Sequence, residues 1–306
     1  MSLKIEKVAF GGWPNNLRLT NGRIEAVVTS DVGPRVIRFG FVNGPNLFAE
    51  LPDQMGGAGE KEWMLRGGHR LWIAPEDKPR SYELDNTPIV ASIARDGVRV
   101  VKEAGPHTRI EKRMDLFMDP RRERLTVVHT LINRGRKPFA LAPWAVSAMA
   151  PGGMAVIPLP AKISHAARLT HNQTWSLWGY TDFTDQRWML GSRYVFLKQR
   201  AQPAPTKLGM AQREGWVAYQ LKNHLFVKRF GFVEGADYPD GGMNFETFTN
   251  EQFLELESLA PMTTLAPGKS AQHTEVWELF RNVPRIRTEK DADRELRNRT
   301  KLHVAR

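Results

Sequence analysis

The sequence predicts an all-β chain, a large antiparallel β-sandwich. Three observations carry this. Short alternating apolar and polar segments are broken by turn residues, helical signal is scarce, and 306 residues at 41% hydrophobic content can fill one large core.

Residues 17–20 form the first strand candidate and run into Asn21-Gly22, a dipeptide suited to a tight hairpin because both residues tolerate positive φ. Residues 24–29 continue as the partner strand, and 35–41 follow the Gly33-Pro34 break. Further strands are expected at 89–93, 98–103, 108–117, 125–132, 139–149, 193–197, 216–221, 225–230, 243–249, 253–259 and 271–280. Turn chemistry separates most of them, at Arg95-Asp96-Gly97, Asp119-Pro120, Asn133-Arg134-Gly135 and Pro267-Gly268. So many strands with so few helices imply two large packed sheets in one domain, assigned to residues 1–283. Residues 284–306 form a basic C-terminal segment. Within it 288–301 is predicted helical, free of Gly and Pro, with Thr288 as N-cap ahead of acidic first-turn residues. Two stretches are too long and too decorated for simple turns: 50–86, rich in Gly, Trp, Pro and charge, and 151–192, with Trp175, Trp178 and Trp188. Such loops in a compact domain are usually functional.

The chain has no cysteine, which excludes disulfides, thiolate nucleophiles and Cys-ligated metals and fits a cytoplasmic protein. No apolar run approaches the roughly 20 residues that span a bilayer, and the first residues do not read as a signal peptide, so no membrane association is expected. The formal charge is +11. Much of the excess lies in 281–306, where nine Lys/Arg face four Asp/Glu. A solvated helix with interleaved charges accounts for that pattern. No nucleic-acid motif accompanies it, and nucleic acid is not expected as a partner.

Three constellations could carry chemistry. The first runs from Trp63 to Glu76 and holds Arg66, Gly67, Gly68, His69, Arg70 and Trp72. Trp faces stack on sugar rings, Arg66, Arg70 and Glu76 suit hydroxyls or an anionic substituent, and His69 suits proton transfer near neutral pH. The alternative is that His69 and Arg70 merely satisfy backbone groups in a buried loop. The second is the strand 253–259, where alternation places Glu255 and Glu257 on one face about 7 Å apart, a natural home for a general base or a solvated outer face. The third is the turn at Asp237-Tyr238-Pro239-Asp240, with Lys228-Arg229 upstream. Trp144 reads equally as core or as a stacking platform, and Trp277 as core. The remaining histidines read as structural or surface residues. No P-loop, dinucleotide fingerprint, G-x-S-x-G elbow or EF-hand loop is present, and neither a metal nor a cofactor is expected.

The order of several segments resembles the galactose mutarotase-like (aldose 1-epimerase) superfamily. Leu19-Thr20-Asn21-Gly22-Arg23-Ile24 leading into Gly33-Pro34-Arg35-Val36 is similar to its opening strands. Leu254-Glu255-Leu256-Glu257 followed by Leu265-Ala266-Pro267-Gly268-Lys269-Ser270 is similar to its end, and the likeness spans about residues 15–281. The resemblance implies a β-supersandwich with a sugar in its concave face, a Glu base at the anomeric hydroxyl, a His acid at the ring oxygen, and Arg, His and Asp contacts. Arg66, His69, Asp240 and Glu255 fill four of those places in order, with Glu257 as the alternative base. The departure is at Pro143-Trp144-Ala145, which occupies the stretch where the superfamily carries its acid His. The reading is therefore a cofactor-independent 1-epimerase-like protein. Glu255 or Glu257 serves as base, His69 as acid, Arg66, Arg70, Glu76, Lys228 and Asp240 as polar contacts, and Trp72 and Trp144 as stacking walls. Its alternative is a non-catalytic module that binds a sugar or uronate. The ligand is a small carbohydrate, neutral or anionic. The oligomeric state is not legible.

Overall fold

The computed structural model describes residues 3–94 and 96–300. Arg95 of the expected 95–97 turn and Lys301 at the end of the expected helix lie outside the described residues. Two antiparallel sheets pack face to face. In the first, spatial order runs Lys4–Phe10, Trp13–Thr20, Ile24–Thr29, Arg35–Phe41, Gly68–Ala74, Phe139–Met149, Leu254–Leu259, Phe245–Thr249, Thr206–Met210, Trp175–Leu177, with Thr263–Leu265 also pairing on Phe139–Met149. In the second it runs Trp188–Leu190, Tyr194–Lys198, Met154–Pro158, Trp216–Leu221, His224–Arg229, Ser270–Phe280, Arg124–Asn133, Ile110–Met118, Gly97–Lys102, Val90–Ala94. Every predicted strand is present. The two long segments are not structureless, however, since they contain Gly68–Ala74, Met154–Pro158, Trp175–Leu177 and Trp188–Leu190.

The inward faces meet in one large core that includes Phe39, Phe48, Leu71, Met114, Leu131, Leu256, Phe226 and Trp277. The Ile24–Thr29 and Arg35–Phe41 strands are almost wholly buried, so their β-branched residues pack on both sides.

The helix Glu289–Leu296 begins at Thr288, whose hydroxyl accepts from the Asp291 N–H while the Asp291 carboxylate accepts from the Thr288 N–H. This reciprocal cap satisfies donors the first turn leaves open. Its Ala292 and Leu296 pack with Val283 and Ile286 on Val156, Phe196, Trp216 and Val227, a second apolar cluster on the outer side of the second sheet. The C-terminal segment is thereby seated on the sandwich up to Thr300. No helix among the described residues is long and apolar enough to cross a membrane.

Candidate functional site

Register builds the site. Across the first sheet Arg70 pairs with Val146, Val146 with Glu257, and Glu257 with Glu246. The flanking rows are Gly68–Ala148–Glu255–Phe248–Lys207 and Trp72–Trp144–Leu259. Because side chains alternate along each strand, these rows share one face, turned away from the core. Five adjacent strands thus deliver Arg70, Trp72, Trp144, Glu257, Glu255, Glu246 and Lys207 to a single patch.

The long segments wall this patch. Trp63 and Tyr82 come from 50–86, and Trp178 and Tyr180 from 151–192. Asp240 comes from the turn after Tyr238, where its φ of 53° aims the chain sharply. Two adjoining cavities of about 310 and 330 Å³ result, sharing Glu76, Tyr82, Trp144 and Lys207 in their linings. Trp72 and Trp144 meet edge to face at 5.2 Å, and Trp63 and Tyr82 close on Trp72 at 4.9 Å each. Volumes of this size suit a monosaccharide-scale ligand.

The charges on this floor are cross-braced. The Arg70 guanidinium lies 4.2 Å from the Trp72 ring and 5.4 Å from Trp63, and donates to Glu255 Oε1 at 3.0 Å. Among the described residues its Nε and Nη1 are buried without partners, as is Trp72 Nε1. Lys207 Nζ sits 2.6 Å from Glu246 Oε2 and 3.4 Å from Glu257 Oε2, beneath the faces of Trp178 and Trp144. Trp144 Nε1 donates to the same Glu257 oxygen at 3.1 Å, and Glu257 Oε1 has no partner among the described residues. Burial, assisted by repulsion from Glu255 and opposed by Lys207, raises the Glu257 carboxyl to about 7. Burial pushes Glu246 well above the usual carboxylate range, again against Lys207. Lys207 is itself held up: Glu257 and Glu246 outweigh the lowering effect of its burial. Unpartnered buried donors and acceptors on residues that line one cavity are what a polyhydroxylated ligand would satisfy.

Of the residues expected from sequence, Arg70, Trp72, Glu76, Trp144, Asp240, Glu255 and Glu257 line the two cavities. His69, Arg66 and Lys228 do not, and their expected ligand roles are corrected. His69 is one residue from Arg70 on an extended strand, so it points the opposite way, into the core. There it meets Ser147 Oγ at 2.8 Å and His129 Nε2 at 2.7 Å, and it is fully buried. Arg66, at φ 59°, is also fully buried; it donates to Glu60 and the Gln54 carbonyl and pins the loop before the Gly68–Ala74 strand. Lys228 lies between the sheets, bound to Glu275 Oε1 at 2.8 Å and the Leu256 carbonyl at 2.8 Å.

His69, His129 and Glu275 bring potential ligand atoms within 4.8 Å of one another. Their valences are already taken: the two imidazoles share a proton, and Glu275 holds Lys228, Ser258 and Trp277. This cluster is a completed hydrogen-bond network. Sequence reasoning missed Lys207, Glu246, Tyr82 and Tyr180, and noted Trp178 only as part of a decorated loop. The lone carboxylate of Glu246, alternating with Phe245 and Thr247 on a predicted strand, was the available signal.

No family model and no curated protein sequence matches the chain. Solved structures do match in shape. A galactose mutarotase related enzyme from Lactobacillus acidophilus superposes with a TM-score of 0.58 at 9% identity, over 89% of this chain and 100% of that one. A galactose mutarotase-like protein from Lactobacillus casei gives 0.54 at 11% identity, over 87% and 100%. A TPR-domain containing protein from Parabacteroides distasonis gives 0.58 at 13% identity, over 89% of this chain and 48% of that one. At such identities the likeness concerns architecture, and the architecture is unambiguous: the chain is a β-sandwich of the galactose mutarotase-like fold.

Proposed function

We propose that the protein binds a neutral aldose in the Trp-walled cleft and interconverts its anomers without a cofactor, with Glu257 as the base. The observation that carries this reading is Glu257 itself. It is a buried carboxyl on the cleft floor, with one oxygen unpartnered among the described residues and an ionisation set near the pH at which it would work. Glu255 is committed to Arg70, so its part is to hold that guanidinium against the tryptophans. Arg70 and Trp72 would donate to ring hydroxyls through their unpartnered N–H groups, and Trp144 and Tyr82 would cover the apolar faces of the ring.

The lining favours a neutral sugar over a phosphate or uronate. Glu76, Asp77, Asp240, Glu246, Glu255 and Glu257 outnumber Arg70, Lys78 and Lys207. An added anion would meet net repulsion in a partly desolvated cavity. The likeness in fold to galactose mutarotase related proteins supports the same substrate class.

Exchange NMR on a panel of aldoses, hexose phosphates and uronates tests the reading. Anomer exchange of a neutral aldose by the wild type, reduced 100-fold or more in Glu257→Gln, is the expected result. One observation favours a second reading, a binding module without turnover: among the described residues, no histidine lines the cleft. Saturable sugar binding with no exchange above the buffer rate would establish that reading and refute the first.

A further inference from the structure

We propose that Glu246 is the proton donor of this site and works as a pair with Glu257 across Lys207. The inference rests on the anomer-exchange reading and supplies the group that reading lacks. Opening a sugar ring needs a base at the anomeric hydroxyl and an acid at the ring oxygen. Both oxygens are bonded to the same carbon, so the two catalytic groups must lie side by side.

Neighbouring strands deliver that arrangement. Glu246 and Glu257 are direct cross-strand partners on the cleft face, which sets their Cβ atoms about 4.5–5.5 Å apart. Glu246 lines the cavity with Trp144, Trp178 and Asp240. Its side chain is fully buried, and among the described residues neither carboxyl oxygen has a hydrogen-bond partner; Oε2 makes only the ion-pair contact with Lys207, at 2.6 Å. Two buried carboxyls share one ammonium. The neutral set carries one proton between the carboxyls, because two charges of one sign at this separation cannot both stay ionised cheaply. Lys207 lies closer to Glu246, at 2.6 Å against 3.4 Å, but Glu257 accepts hydrogen bonds from both Trp144 and Lys207 while Glu246 accepts none among the described residues, so Glu257 holds the better anion position and the proton rests on Glu246. The upward shift of Glu246 by burial agrees with this placement.

Other groups in or under the cleft are poorer donors. Lys207 is stabilised in its protonated form by both carboxylates, and burial raises the hydroxyls of Tyr82 and Tyr180, the latter to about 12. His69 opens to the core instead of the cavity.

The step balances as follows. Glu257 takes the proton of the C1 hydroxyl, and that O–H pair becomes the second C=O bond. The C1–O5 bond breaks, and its electron pair takes the proton from Glu246. The open aldehyde turns about C1–C2. Glu246, now the carboxylate, then removes the O5 proton as O5 attacks the other face of C1, and the carbonyl oxygen recovers its proton from Glu257. Lys207 keeps its charge throughout and damps the repulsion as the proton changes owner.

Isotope-edited infrared spectroscopy of glutamate-labelled protein near neutral pH reads the resting proton directly, without any substrate. The expected result is a buried protonated-carboxyl band in the wild type that is absent in Glu246→Gln. It should also vanish in Glu257→Gln, because the remaining carboxyl then forms a neutral pair with Lys207. A band that persists in Glu246→Gln overturns the proposal. In exchange NMR on neutral aldoses, Glu246→Gln should lower kcat at least 100-fold with KM changed less than 3-fold, and Glu246→Asp should recover part of the loss. Wild-type kcat in a folded Glu246→Gln variant also overturns it. Absence of exchange in the wild type sinks the anomerase reading, while the infrared band still decides whether Glu246 and Glu257 hold one proton between them.

Discussion

Replacing Lys228 with methionine should be among the most damaging single changes outside the cleft. The Lys228 and Glu275 side chains are both fully buried, 2.8 Å apart between the sheets. Removing one partner strands the other charge, at a cost of about 3–5 kcal/mol. Glu275 retains Ser258 Oγ at 2.5 Å and Trp277 Nε1 at 2.7 Å, so the lower end of that range is expected. That is a large share of a typical total of about 5–15 kcal/mol. Glu275→Gln should cost less, about 1–3 kcal/mol, because burial already lowers the Lys228 pKa and the amine can shed its proton. The double variant Lys228→Met, Glu275→Gln leaves no buried charge and keeps an acceptor for Trp277, so it should be more stable than Lys228→Met alone. The assay is equilibrium unfolding in guanidinium at neutral pH, with an unchanged m-value as the check on two-state behaviour. A cost under about 1 kcal/mol for Lys228→Met, or a double variant equal to the sum of its singles, would refute the reasoning.

Acid should destabilise the protein from about pH 6.5 downward. Burial lowers the pKa of His69, His129 and His273, the last to about 3. The unfolded chain then binds protons the folded one refuses, and each such histidine adds about 1.4 kcal/mol per pH unit of loss, readable from unfolding midpoints across pH. Trp144→Phe removes one donor from the Glu257 carboxylate and should raise its midpoint above 7 in a carboxyl NMR titration. A midpoint that falls or stays would contradict the geometry. Gly67→Ala should cost at least about 3 kcal/mol in the same unfolding assay. Its φ of 97° disfavours a side chain, and a Cβ there would lie 2.0 Å from the Ala49 carbonyl oxygen. Thr288→Ala should cost only about 1 kcal/mol and speed amide exchange in the 289–296 helix.

Local rules made much of this molecule legible. The strands at 24–29, 35–41, 139–149 and 216–221 lie where alternation and turn residues put them. Gly68–Ala74 was hidden because all seven of its residues are buried, by the core on one face and the cleft walls on the other. Alternation of polarity therefore vanishes along it. Missing that strand also cost the assignment of His69. Once 68–74 is extended, parity alone puts Arg70 and Trp72 on one face and His69 on the other. The Glu255 and Glu257 pairing on a face was readable from spacing, but their difference was not. Which one meets Arg70 and which meets Trp144 and Lys207 depends on cross-strand register over residues 70 to 257. Lys207 and Glu246 escaped notice for the same reason.

The buried polar network gives the cleft something a hydrophobic core would not. The strand 254–259 is held from its core side at two points beside Glu257. Lys228 Nζ binds the Leu256 carbonyl, and Ser258 Oγ binds Glu275 while meeting His273 Nε2 at 2.6 Å. Neither residue faces the cleft, yet together they clamp the backbone on both sides of the proposed base. Apolar packing tolerates small slides of one strand over another, whereas a set of short charge-assisted hydrogen bonds has one geometry. Acid–base chemistry at a single carbon is sensitive to displacements well under an ångström or two. Under the proposed function, a core that places seven titratable or hydroxyl-bearing side chains (Lys228, Glu275, Ser258, His273, His129, His69 and Ser147) beneath the cleft floor answers that need for position. His69, excluded from the cleft, is one of them: through Ser147 it braces the 139–149 strand that carries Trp144.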